Sequence, residues 1–102
     1  MQPTLKDVWL DYFIEKQFLI DEITSGETLL ATEKECFNTK KQSILRFSKR
    51  FIDEIEKMKQ KGYKLVSAKV NFIIYWLKEG TNKEIKVILP EVCFEKNTQN
   101  LF

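Results

Sequence analysis

Histidine is absent from this 102-residue chain, and cysteine occurs only twice. Without His, serine and cysteine nucleophiles lose their commonest activating base. A tetrahedral zinc centre draws its ligands mainly from Cys and His, so structural zinc is excluded as well. Glycine is limited to three residues and proline to two, which predicts few and short loops, and the glycine-rich phosphate-cradling motifs are missing. No apolar run approaches the ~18–20 residues of a membrane span. The opening "MQPTLKDVW" lacks the basic-then-apolar pattern of a signal peptide. Seventeen Lys/Arg against fifteen Asp/Glu leave a net charge of +2, a solubility statement that does not by itself imply nucleic acid. Carboxylates clustered at Asp11, Glu15, Asp21 and Glu22 are more commonly a solvated face than an acid–base pair. These absences point to a cytoplasmic protein that is not an enzyme and carries no metal or cofactor.

What is present suffices for a core, with 43% hydrophobic and 13% aromatic residues. "PTLKDVWLDYFIEK" is expected to be a helix capped by Thr4, with Asp7 as the partner acid of a capping box. The alternation Val8, Leu10, Tyr12, Ile14 fits a strand equally. "QFLIDEITSGETLLA" reads as a hairpin turning at Ser25-Gly26, with Leu19 near Leu30 and Ile20 near Leu29. The stretch from Asn38 to Gly62 is expected to be one long helix, capped at Asn38 or Thr39 and ended by Gly62. Its apolar stripe is Ile44, Phe47, Phe51, Ile55 and Met58. "YKLVSAKVNFIIYWL" and "EIKVILP" read as a second hairpin, turning near Thr81-Asn82, pairing Trp76 with Val87 and Ile74 with Leu89, and stopped by Pro90.

Both cysteines stand before phenylalanine, Cys36-Phe37 and Cys93-Phe94, 57 residues apart. At that offset Phe18–Phe37 lies over Tyr75–Phe94, with Glu22/Glu79, Thr24/Thr81 and Glu27/Glu84 also identical. The organisation expected is therefore α+β, two α-ββ units spanning 4–37 and 38–94, an internal duplication in one domain. The remainder, 95–102, would be a loose tail ending in Leu101-Phe102. Each cysteine would then pack as a small hydrophobe, a redox or cross-linking role being the other reading. On these two matched hairpins the chain resembles small orphan proteins of filamentous viruses that infect hyperthermophilic archaea. That resemblance implies a non-enzymatic adaptor or host-interacting protein, working in the host cytoplasm.

Two binding roles remain. "FIIYWL" is apolar on both strand faces, so one face must lie under another unit, against a second copy, or in a groove for a protein partner. Phe72, Tyr75 and Trp76 are the candidate anchors of a groove or sheet edge between the two units, unless the run is simply a buried central strand. The alternative is a nucleic-acid interface on the basic face of the central helix, formed by Arg46, Lys49, Arg50, Lys57 and Lys61. Against it stand Lys49–Asp53, Arg50–Glu54 and Asp53–Lys57, opposite charges at i,i+4 that typify a solvated helix surface.

Overall fold

β-Branched and aromatic residues are densest between Tyr63 and Leu77, and there the chain forms its longest strand. The computed structural model describes residues 1–97. A 3-10 turn at Leu5–Asp7 leads to helices α1 (Leu10–Glu15) and α2 (Gln17–Ile20). Strands β1 (Thr28–Ala31), β2 (Glu35–Phe37) and β3 (Ser43–Arg46), helix α3 (Lys49–Gln60), and strands β4 (Tyr63–Leu77) and β5 (Glu84–Lys96) follow. The five strands make one antiparallel sheet ordered β3-β2-β1-β4-β5. The class is α+β, as expected, and the β4–β5 hairpin sets the long dimension of a 57 × 26 × 18 Å molecule.

The two α-ββ units do not appear. Three strands, not two, separate α2 from α3, and at the 57-residue offset α2 overlies the end of β4, a helix on a strand. The unit boundaries 4–37 and 38–94 accordingly match no structural division. The two cysteines are not equivalent either. Cys36 is buried in the middle of β2, opposite Ala31 and Leu45, while Cys93 is exposed on β5 opposite Ser67.

The long helix is shorter than its stripe suggested. Ile44 and Leu45 are both fully buried in β3, which closes on β2 through the Asn38–Gln42 turn. Asn38 Oδ1 accepts from the amides of Lys40 and Gln42, and Lys41 takes the left-handed φ of 65°, a local bonding pattern that competes with helix. Helix begins only after Ser48, whose backbone is extended, and ends at Gly62 with φ 91°. The first segment is also interrupted. The Thr4–Asp7 capping box forms, but Val8 then pairs with Phe47 as an isolated antiparallel bridge, and helix resumes at Leu10. The alternation noted in Val8–Ile14 is thus used for one bridge only.

Gly26 does have a positive φ of 85°, yet it joins a helix to a strand. Residues 17–20 are helical, and Leu29 and Leu30 pair with Ala68 and Phe37 instead of Ile20 and Leu19. The second hairpin turns one residue earlier than expected, at Gly80 with φ 84°, so Trp76 meets Ile85 and Ile74 meets Val87. A shift of two in the pairing keeps every side chain on its face. Pro90 does not stop β5. It sits opposite Val70 beside a bulge between Val70 and Phe72, on an edge strand where its missing N–H removes no ladder bond. Glu95 and Lys96 still pair with Lys64 and Tyr63, so the strand runs into the expected tail. The Leu101-Phe102 end lies outside the described residues.

The core is a single cluster in which Phe13 and Ile20 from the N-terminal helices meet Ile44, Leu45, Phe51, Ile55, Ile88 and Val92. Phe47 and Phe51 stack with ring centroids 4.7 Å apart. No helix among the described residues is long and apolar enough to cross a membrane.

Candidate interaction site

β1 is short and β4 is long, and from that mismatch comes an open strand edge. β1 pairs with β4 at Thr28↔Lys69 and Leu29↔Ala68, and the approach to β1 adds Val70 N→Glu27 O and Gly26 N→Val70 O, each 2.8 Å. Beyond Val70, Asn71 stands in the bulge, residues 72–77 pair with β5 on one side, and residues 71–77 have no strand partner on the other among the described residues.

The backbone direction there can be read from β5. Lys86 N donates to Gln17 Oε1 at 3.0 Å, and Lys86 O accepts from Gln17 Nε2 at 2.9 Å. Its backbone groups therefore point away from β4. Tyr75, directly opposite, must turn its own N–H and C=O away from β5, toward the open side. Ile73 and Leu77 follow by alternation.

The side chains of this stretch carry no charge, "NFIIYWL". Phe72, Tyr75 and Leu77 are 51%, 63% and 56% exposed. Trp76 is partly buried and packs against the core. Two open clefts adjoin the strand on the face of Phe72, Ile74 and Trp76. One, about 690 Å³, is lined by Pro3, Leu5, Arg50, Phe72, Ile74 and Leu89. The other, about 720 Å³, lies between Leu5–Asp11 and Trp76–Glu79. Trp9, 55% exposed, stands in its wall, and Lys78 and Asp11, also in its lining, pair at 3.1 Å.

The clefts beside β4 are not built as expected. Their far wall is the N-terminal segment, not a second α-ββ unit. Sequence reasoning found the floor residues through their uncharged run but missed Leu5 and Trp9, whose placement depends on a contact with β3, Trp9 N→Arg46 O at 2.9 Å.

The five basic residues do not share a helix face. Arg46 lies on β3, where its guanidinium stands 5.8 Å from the Trp9 ring centre and 5.7 Å from that of Tyr12. It was assigned to the helix because the apolar spacing of β3 continues smoothly into α3. Arg50 pairs with the buried Asp7 at 3.4 Å, and Lys57 with Glu54 at 3.3 Å. Lys49 and Lys61 are exposed at opposite ends of α3. A third cleft, about 420 Å³, opens where β1 leaves β4, and there Lys59 bonds Glu33 at 2.6 Å. That bond holds the lysine pKa above its ordinary value.

Burial pushes the Cys36 thiol up to about 12, with the Glu35 carboxylate adding to the effect. It is an inert core group. No cluster of three or more acidic or cysteine side chains stands ready for a metal among the described residues. Comparison with protein-family models, with curated proteins and with solved structures finds no match to this chain.

Proposed function

We propose that the protein is a non-enzymatic protein–protein interaction module that receives an extended segment along the open edge of β4. The observation that carries this reading is the conjunction at residues 71–77 of outward-facing backbone groups, uncharged half-exposed side chains, and adjoining apolar clefts. Main-chain bonds would supply affinity, and the clefts beside Phe72 and Trp76 would supply specificity. The basic residues support a nucleic-acid role less well, since Arg50 and Lys57 are engaged by carboxylates and Arg46 by aromatic rings.

Octapeptides selected from a random phage-displayed library on the immobilised chain should converge on extended apolar sequences. A labelled selected peptide should lose about tenfold or more in affinity to Tyr75→Pro, which removes an edge donor, and to Trp76→Ala. Arg46→Ala and Arg50→Ala should leave it unchanged. If Tyr75→Pro and Trp76→Ala bind the peptide normally, or if only salt-sensitive duplex DNA binding appears, the reading fails.

A further inference from the structure

We infer that the cleft beside Phe72 takes a small amphiphilic monocarboxylate, its apolar body lying between the sheet and the N-terminal segment and its carboxylate at Arg50 and Lys6. The inference adds a ligand to a cleft that borders β4, and it does not require the strand edge to be paired.

The apolar half of the ligand follows from the lining. Phe72 of β4 stands directly opposite Leu89 of β5. With Ile74 they make a floor, faced by Pro3 and Leu5 across a space of about 690 Å³. Sites for small ligands commonly hold roughly 300–1,000 Å³, with mostly apolar walls and a few convergent polar groups.

The head group follows by elimination. Gln2 gives its amide hydrogens to Pro3 O and Pro90 O, and its oxygen accepts from Asn71 Nδ2 at 2.7 Å. The Thr4 hydroxyl donates to Asp7 Oδ2 at 3.0 Å and accepts from Lys6 N at 3.3 Å. The uncharged polar side chains of the lining are thus already engaged within the fold. Lys6 Nζ and the terminal nitrogens of Arg50 remain, and they donate no hydrogen bond among the described residues. Both side chains are donors only, so what they meet must accept.

The buried Asp7 carboxylate stands 3.4 Å from Arg50 Nε and tethers that side chain at the rim of the cleft. A guanidinium held by Nε keeps its terminal fork for a second planar acceptor, and a carboxylate matches that fork with two bonds. Charge favours a monoanion over a phosphate dianion. Lys6 and Arg50 against Asp7 leave one net positive charge in this corner. The Ser48 hydroxyl bonds Lys6 O at 3.0 Å and does not cap α3, so the positive end of the helix dipole adds to the same corner.

Isothermal titration of the full chain with decanoate, and separately with 2-naphthoate, should give a dissociation constant below about 1 mM for at least one of them. The two arms separate a flexible chain from a flat ring. Decanol and decyltrimethylammonium, which keep the chain and lack the anion, should bind at least about tenfold more weakly than decanoate if the chain is the form taken. Arg50→Lys keeps a cation beside Asp7 but removes the fork, and should weaken carboxylate binding about tenfold. Exposed Lys6→Gln should weaken it about two- to fivefold, and carries the test by itself should Arg50→Lys not fold. Failure of both carboxylates to bind, or binding indifferent to both substitutions, overturns the inference. A chain that binds selected peptides but neither carboxylate loses this ligand and keeps the interaction edge. One that binds a carboxylate but no peptide keeps the ligand and loses the edge.

Discussion

The β4–β5 hairpin has two long margins, and the chain treats them differently. Along β5 the outward groups of Lys86, Pro90 and Val92 are covered. Gln17 takes both backbone groups of Lys86, Gln2 reaches the Pro90 carbonyl at 3.2 Å, and Met1 exchanges two bonds with Val92 at 2.7 and 2.8 Å. Pro90 itself has no donor to cover. Along residues 71–77 of β4 nothing comparable occurs among the described residues. An uncovered, uncharged edge invites pairing with another chain, and proteins ordinarily blunt such edges with charge, proline or a covering segment. This one does so on one margin and leaves residues 71–77 of the other without a strand partner among the described residues.

The largest way to break the contrast is to unseat the covering segment. Phe13 is fully buried beneath it, so Phe13→Ala should cost about 3–5 kcal/mol in urea unfolding. Next comes Gln17→Ala, which strips both partners from Lys86 without touching the core. A loss of about 1–3 kcal/mol is expected, with faster hydrogen exchange at the Lys86 amide.

How these segments were legible from sequence follows the range of the forces involved. The span of β4, the Thr4–Asp7 box and the Gly62 stop are local matters of propensity and capping, and they were readable. The β2–β3 hairpin was not, because Ile44, Phe47, Phe51 and Ile55 keep helical spacing across a strand and a helix alike. The site divides the same way. Phe72, Tyr75 and Trp76 announce themselves in an uncharged run, whereas Leu5, Trp9 and Gln17 acquire their roles only through partners far along the chain.

A smaller effect concerns the thiols. With its pKa pushed to about 12 from 9.0, Cys36 keeps its proton in the folded state while the unfolded thiol ionises. Stability should therefore be unaffected by this group below about pH 9 and fall as pH rises toward 12. Iodoacetamide should modify Cys93 rapidly and Cys36 only on unfolding. Smallest of all, Tyr75→Ala should change stability by no more than about 0.5 kcal/mol, because its side chain stands on the margin that the fold does not use.

The pairing of Met1 with Val92, 91 residues apart, also has a consequence in time. During synthesis the covering segment emerges first and the strand it covers emerges last. At roughly 5–20 residues per second, Phe13 and Ile20, both fully buried in the fold, spend several seconds without the surface they will meet. Over that interval the nascent chain offers apolar residues to whatever chaperone stands at the ribosome, and the fold closes only when β5 arrives.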